Sequence, residues 1–226
     1  MCSSSDVRNA RVLNEVLSSL SLAVKYMNRM IEKLINTKHV CPWWLCFTFD
    51  NPFRRIFHDP VEILSPYLHK DDKAIDIGPG MGYFTIPLAQ MVGSTGRVTA
   101  IDIQPKMFSA LMERAKKKGV AEIIKTHLAS PESIGIHEKA DFILAFWMVH
   151  EVPDQRRFLS EIRDLMKPEG LFLMVEPVIH VSMKNFSCTI ETANELGLLI
   201  KESPKIRMSR SALFTCGKNG LHKSRV

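Results

Sequence analysis

The sequence lacks the apolar segments that membrane-spanning and secreted proteins carry. A bilayer-spanning helix needs about 20 consecutive apolar residues, and no run of that length occurs. The uncharged run over residues 16–24 has the length of a signal-peptide core, but Glu15 abuts it and no cleavage site of small residues precedes Lys25. We therefore expect neither a membrane span nor a signal peptide.

Cysteine is scarce and irregularly placed. The chain has five cysteines, at positions 2, 41, 46, 188 and 216. An odd number without regular spacing gives no disulfide framework and favours a reducing, cytoplasmic environment. Cys41 and Cys46, with His39 and His58 nearby, form a metal-like cluster. We expect no metal and two buried, non-ligating thiols there, with a thiol-lined pocket for a soft metalloid such as arsenite as the alternative.

Acidic residues are nearly absent from the end of the chain. The net charge of the protein is +6, and its last 26 residues carry seven Lys and Arg against one acid, Glu202. This stretch therefore accounts for the whole excess of positive charge. A basic end is usually a solvated terminus and less often a contact for nucleic acid or an anionic surface. We expect a basic disordered tail over residues 218–226 and no nucleic-acid partner.

A glycine-rich turn is the most informative feature that is present. The stretch Asp76-Ile-Gly-Pro-Gly-Met-Gly82 follows a strand-like apolar run and precedes helix-forming residues. Its glycines permit positive φ and close approach of a ligand to backbone N–H groups at a helix N-terminus. A second apolar strand ends in Asp102, where a doubly wound fold places an acceptor for ribose hydroxyls. Together these features indicate a cofactor that contains adenosine.

The turn also indicates which cofactor. Its glycines are more closely spaced than in the dinucleotide fingerprint, and Asp76 would repel a pyrophosphate but suits the ammonium group of S-adenosylmethionine. Here the chain resembles the class I S-adenosylmethionine-dependent methyltransferases, whose first motif is acid-x-Gly-x-Gly-x-Gly and whose second is an acid ending the next strand. The resemblance covers residues 60–217. It departs from the family at 127–130, where His-Leu-Ala-Ser replaces the usual acid that meets the adenine.

The resemblance implies a role for each matching residue. Gly78, Gly80 and Gly82 would form the cofactor loop, with Asp76 as a direct or water-linked acceptor for the ammonium group. Asp102 would hold the ribose, and Ile103 and Ser130 would flank the adenine. Phe146 and Trp147 would border the transferred methyl group. The candidate substrate-binding residues are Trp43, Trp44, Tyr83 and Trp147.

The acceptor is the least specified part of the prediction. An Asn/Asp-Pro-Pro-aromatic motif for amide and amine substrates is missing after strand four, as is a nucleophilic cysteine for pyrimidines. Asp141 begins that strand and Glu176 is alone, so metal dependence is not expected. We predict methyl transfer to a small, partly apolar molecule. Alternatives are a non-catalytic cofactor-binding protein and an RNA methyltransferase that uses the basic C-terminal stretch.

His150, just past strand four, is the candidate catalytic residue. A histidine titrates near neutrality and can take a hydroxyl proton from an acceptor. In related small-molecule methyltransferases a histidine at this place often only ties loops together, and both roles stay open. The neighbouring Glu151 is interpreted as a charge at a helix start rather than a catalyst.

The predicted fold is α/β, a doubly wound sheet of seven mostly parallel strands with an antiparallel closing strand. We expect an N-terminal helix and aromatic segment over 1–58, the methyltransferase domain over 59–217 and the tail beyond. The heptad-like helix over 6–36 either docks on its own domain or holds a homodimer together. The aromatic segment over 39–49 either covers the active site as a lid or anchors that helix.

Overall fold

The computed structural model describes residues 57–217. The predicted N-terminal helix, the aromatic segment with Trp43 and Trp44, the Cys41 and Cys46 pair and the C-terminal tail lie outside the described residues. Predictions that concern them, including the homodimer and the lid, stay predictions.

The described chain forms an α/β fold around one sheet. Its strands are β1 Lys73–Ile77, β2 Arg97–Asp102, β3 Ile124–Leu128, β4 Ala140–Phe146, β5 Met166–Pro177, β6 Leu198–Glu202 and β7 Ser209–Cys216. Its helices are α1 Pro60–Leu64, α2 Thr85–Val92, α3 Pro105–Lys117, α4 Gln155–Leu165 and α5 Met183–Glu195. The strand order is β3-β2-β1-β4-β5-β7-β6. All neighbours pair parallel except β7, which is antiparallel to β5 and β6, so the predicted fold class is confirmed.

Several boundaries differ from the sequence pattern, which predicts a helix over 82–92, a turn over 167–170 before the fifth strand and a sixth strand over 198–206. Helix α2 begins at Thr85 rather than 82, because the turn with positive φ at Gly82 comes first. Strand β6 ends at Glu202 rather than 206, just before Pro204, whose missing N–H cannot join a ladder. Strand β5 begins at Met166 and includes the expected turn over 167–170, with a register shift against β4.

The helices begin where their sequences supply caps. The side chains of Asp59, Asp154 and Ser182 accept backbone N–H bonds at the starts of α1, α4 and α5. Proline occupies the first turn of α1 and of α3, where its missing N–H costs nothing. These local signals determine where α1, α3, α4 and α5 begin.

Side chains of the central strands are buried on both faces. In β4, Phe142 and Leu144 belong to one apolar cluster, and Ile143 and Ala145 belong to another. All four are fully buried. Burial of each large side chain contributes roughly 1.5–3 kcal/mol to folding, and double-sided burial explains why these strands read as continuous apolar runs.

The path of the chain creates a crevice at the carboxyl ends of the central strands, β1 and β4. From β1 the chain winds to β2 and β3, then returns to place β4 on the other side of β1, with Ile77 opposite Ala145. Ligands of doubly wound sheets bind where the winding reverses, at the carboxyl ends of the strands. The glycine turn after β1 and the residues after β4 meet at these carboxyl ends.

Candidate functional site

The turn after β1 holds three glycines in backbone conformations that other residues rarely adopt. Gly78, Gly80 and Gly82 have φ of 72°, 53° and 90°. A Cβ at Gly82 would press on Leu111 at 3.2 Å, so this glycine lets the turn pack against α3. A Cβ at Gly80 would meet no atom of the described residues within 4 Å. The half-buried backbone at Gly80 therefore leaves room for a ligand to approach closely.

Asp76 connects the two ends of this turn. Its carboxylate is buried, with 2% of the residue exposed. The hydroxyl of Thr85, the first residue of α2, donates a 2.6 Å hydrogen bond to its Oδ2. The sequence predicted Asp76 as a direct or water-linked acceptor for an ammonium group, and its burial favours the water-linked form. The bond to Thr85 adds a role that the sequence did not reveal, because nothing in the motif identifies the hydroxyl.

Asp102 ends β2 and faces the same turn. Its Oδ1 accepts a 2.8 Å bond from the N–H of Gln104. Burial raises the pKa of Asp102, and backbone N–H groups of Gln104, Ile103 and Gly80 partly offset that rise. The bond from Gly80 joins the carboxylate to the glycine turn, so both predicted cofactor motifs form one unit. Ile103, the expected adenine neighbour, follows directly and is half-buried.

Ser130 follows β3 and organises a turn. Its hydroxyl oxygen accepts N–H bonds from Glu132 at 3.2 Å and Ser133 at 3.1 Å. Ser130 is exposed, and it pairs with Ser133 in an isolated bridge. The hydroxyl proton can still be donated, so the residue can serve as a donor to adenine but not as a replacement for the carboxylate usual at this place.

Aromatic rings surround the carboxyl end of β4. The ring centroids of Phe84 and Phe146 lie 4.3 Å apart, and those of Phe146 and Trp147 lie 5.6 Å apart. The ring of Tyr83 meets Phe84 edge to face at 5.2 Å. His58 packs edge to face on Phe146 and Trp147, at 5.3 and 5.0 Å. The structure thus brings the predicted Tyr83, Phe146 and Trp147 together in one wall of the crevice.

Hydrogen bonds hold this wall in position. Trp147 adopts φ of 59°, which is strained for a bulky residue, and its Nε1 donates to Ser209 Oγ at 3.0 Å. The hydroxyl of Tyr83 donates to the carbonyl of His58 at 2.8 Å. His58 is buried, and its Nε2 lies 2.8 Å from the carbonyl oxygen of Arg207. The sequence had grouped His58 with Cys41 and Cys46, and gave no sign of its place in this wall.

His150 is paired with a buried carboxylate. It lies on a short 3-10 turn, Val149–Glu151, and its Nδ1 is 2.6 Å from Oε2 of Glu176 at the end of β5. The Glu176 side chain is only 3% exposed and also accepts the backbone N–H groups of Val149 and His150. The sequence left Glu176 without a role. A parallel neighbour of β4 that ends in an acid was the available signal.

The environment of His150 favours its charged form. Burial lowers the pKa of His150, but the hydrogen bond and charge of Glu176, together with the charge of Glu151, outweigh this effect and leave the pKa raised. With Nδ1 bound to Glu176, the other ring nitrogen, Nε2, is the one available for chemistry. His150 forms no hydrogen bond through Nε2 with the described residues.

A second imidazole stacks on His150. His180, in the loop after β5, lies with its ring centroid 5.8 Å away and its plane within 4° of parallel. Burial and the neighbouring His150 lower the pKa of His180, and Glu176 raises it in part. The two rings therefore favour a state in which His150 alone is protonated.

The residues present fit the cofactor that the sequence predicts. The turn offers a ligand-accessible backbone at Gly80, and the Asp102 carboxylate is desolvated next to it, which suits ribose hydroxyl donors. Over residues 57–217, no group of three His, Cys, Asp or Glu side chains is arranged to hold a metal ion. Within the same range, no helix combines the length and apolar character needed to cross a membrane.

Comparisons with known proteins agree with this geometry. The model of a family described as a methyltransferase domain matches residues 68–212. Demethylmenaquinone methyltransferase of Bacillus velezensis is 29% identical over 104 residues, which are 46% of this chain and 45% of that protein. Ubiquinone biosynthesis O-methyltransferase of Paramagnetospirillum magneticum is 31% identical over 99 residues, which are 44% of this chain and 38% of that protein. The chain thus spans less than half the length of these relatives.

Solved structures share the fold. A SAM-dependent methyltransferase from Aquifex aeolicus superposes with a TM-score of 0.70 at 22% identity, covering 77% of this chain and 98% of that chain. At this identity the likeness extends to the fold alone.

Proposed function

The chain belongs to the family of methyltransferase domains, and on that premise we propose that it transfers a methyl group from S-adenosylmethionine to a small, partly apolar acceptor. S-adenosylmethionine is the cofactor that the family and the glycine turn beside Asp102 indicate. The single observation that carries the acceptor proposal is the wall of aromatic rings at the end of β4, beside a histidine paired with a buried glutamate.

The chain's own residues would bind the cofactor as follows. Gly80 brings the backbone close, Gly78 leaves room for the Met148 side chain, and Gly82 packs the turn on α3. Asp76 keeps strand and helix joined through Thr85. Asp102 accepts the ribose hydroxyls. Ile103 and Ser130 flank the adenine, and the Ser130 hydroxyl can donate a hydrogen bond there. When bound, the cofactor supplies a methyl group on a positively charged sulfur, an already activated donor.

The aromatic wall would bind the acceptor and exclude water. Phe146 and Trp147 follow β4, whose carboxyl end adjoins the glycine turn. The strained backbone of Trp147 and its bond to Ser209 hold the indole in one orientation, which favours alignment of donor and acceptor. Tyr83 lies in the same group of rings. Trp43 and Trp44 remain proposed substrate contacts outside the described residues.

Above its raised pKa, where the imidazole is neutral, His150 would accept the proton that the acceptor loses. Glu176 orients the ring through Nδ1, which leaves Nε2 as the nitrogen that can act as a general base. Because Glu176 also accepts two backbone N–H groups of the same turn, it acts as a positioning residue rather than as the base. An acceptor with an ionisable hydroxyl or an acidic C–H would benefit from this arrangement, whereas a thiolate would not need it.

The names of the relatives support a small acceptor. Two of them are named for methyl transfer in demethylmenaquinone methylation and ubiquinone biosynthesis, and neither name refers to a nucleic acid or a protein substrate. The absence of excess positive charge outside the C-terminal stretch points the same way.

Labelled cofactor and a metabolite extract test this function. The protein is incubated with methyl-labelled S-adenosylmethionine, and label is followed in solvent-extractable products and in precipitated macromolecules. We expect label in the extractable fraction, lost in His150→Gln and retained in the control His69→Gln, whose side chain is 78% exposed. Label found only in macromolecules would contradict the small-molecule proposal. Cofactor binding without any labelled product would favour the non-catalytic alternative.

A further inference from the structure

Large apolar side chains are exposed at one corner of the described domain. The mouth patch comprises Phe57, Ile179, Met183 and Met208, which are 38%, 72%, 61% and 51% exposed. Two chain segments meet there, because the N–H of Val178 donates to the carbonyl of Met208 at 3.1 Å. Contiguous exposed apolar surface is uncommon on soluble domains and marks contact with another molecule or phase.

The mouth patch adjoins the aromatic wall. His180 follows Ile179 directly and stacks on His150. Ser209 follows Met208 and accepts the indole N–H of Trp147. A molecule that leaves an apolar phase at this patch would therefore be next to the proposed base.

Positive charge rings the mouth patch. Lys184, Lys205 and Arg207 are exposed beside it, and the guanidinium of Arg207 lies 4.8 Å above the Phe57 ring. Two of the three segments that form the patch, residues 178–188 and 203–210, contain no Asp or Glu, and the third, at Phe57, is followed by Asp59 and Glu62. Apolar side chains within a basic ring match an anionic lipid surface, where aliphatic groups enter the acyl boundary and cations meet headgroups.

We propose that the mouth patch docks the protein on anionic lipid membranes. Apolar burial and headgroup attraction act together there, and neither alone accounts for the arrangement. A polyanion such as RNA would use the basic ring but would leave Ile179 and Met183 without a partner. Docking by this face places the crevice against the bilayer, so an apolar acceptor dissolved in lipid reaches the aromatic wall without crossing water.

Vesicle binding by the full-length protein tests the proposal without any knowledge of the acceptor. Co-sedimentation is measured with vesicles of phosphatidylcholine and of phosphatidylcholine mixed with phosphatidylglycerol. We expect binding to the anionic vesicles, weakened by salt. The doubly substituted variants Ile179→Ser/Met183→Ser and Lys184→Glu/Arg207→Glu should each bind at least about tenfold more weakly.

Matched controls lie on other parts of the domain. Leu199→Ser removes an apolar side chain that is 47% exposed on β6, and Lys116→Glu reverses a charge on α3. Both should bind vesicles like the unaltered protein, and all variants should still bind S-adenosylmethionine, which shows that they fold. Equal or no binding to the two vesicle types would overturn the proposal. So would a loss in the charge variant with none in the Ser variant, which would indicate a simple polyanion contact.

Discussion

The two halves of the crevice are built in different ways. On the side of β1 and β2, the cofactor half consists of a backbone turn and an acid that terminates a strand, both determined by short stretches of sequence. On the side of β4, β5 and β7, the acceptor half consists of side chains that meet from distant segments, such as His150 with Glu176 and Trp147 with Ser209. Cofactor binding thus depends on short stretches of sequence, whereas acceptor chemistry depends on side chains that only the tertiary fold brings together.

The largest effect is expected from breaking the acceptor half at His150. Replacing it with Gln removes the proposed base while keeping a polar side chain, so kcat should fall by about 10² to 10⁴. The affinity for S-adenosylmethionine should hardly change, because the cofactor half is untouched. Steady-state kinetics with the identified acceptor and calorimetry with the cofactor measure the two quantities. A rate within about threefold of the unaltered protein would return His150 to the role of tying loops together.

The converse change breaks the cofactor half alone. Asp102→Ala removes a charged acceptor of ribose hydroxyl bonds, each worth about 1.5–3 kcal/mol, so cofactor affinity should fall at least about tenfold. Asp164→Ala, at an exposed position on α4, is the control. Calorimetry compares the three proteins. Undiminished cofactor binding in Asp102→Ala would contradict the proposal that Asp102 binds the ribose. The pKa of His150, followed by NMR, should be the same in all three proteins.

The difference between the halves also explains which features the sequence could predict. The order of strands, the glycines and Asp102 follow from apolar runs and turn residues that lie close together in the chain. His58 could not be assigned, because its partner is 149 residues away and no local pattern links the two. Glu176 lies 26 residues from His150, and its place near the end of the strand beside β4 was the only signal for it. Asp76 was recognised as part of the motif, but its bond to Thr85 depends on where α2 begins, and helix boundaries are poorly determined by sequence.

Glu176→Gln alters the acceptor half alone, because it removes the charge of the carboxylate that pairs with His150. The raised pKa of His150 means that its pairing stabilises the fold fully below the ordinary histidine pKa and that this stability is lost as pH rises through the raised value. The Gln variant should lose this pH dependence, and the pKa of His150 should fall. Removing the charge from the bond should cost about 1.5–3 kcal/mol at low pH, towards the lower end because the His150 side chain is 25% exposed.

NMR titration of the imidazole and denaturant unfolding at two pH values check this variant. Glu161→Gln, on α4, is the control, since Glu161 is an acid bound to a different loop through Ile134 N–H. A His150 pKa unchanged in Glu176→Gln would contradict the positioning role, even if the variant were less stable, because a purely structural acid would not set the titration.

The smallest effect concerns protons in the cofactor half. Burial raises the pKa of Asp102, and only its charged form accepts two hydroxyl donors, so binding of S-adenosylmethionine should favour the deprotonated state. Cofactor affinity should be constant well above the raised pKa and should fall as pH drops through it, by up to about tenfold per pH unit below it. Asp102→Asn should bind more weakly at neutral pH and lose this dependence.

Calorimetry across mildly acidic pH measures cofactor affinity in both proteins, with Glu176→Gln as the comparison from the acceptor half. If the affinity of Glu176→Gln kept the same acidic decline while that of Asp102→Asn did not, the proton would belong to the cofactor half. A decline in affinity that persisted in Asp102→Asn would show that the proton binds to a group other than Asp102.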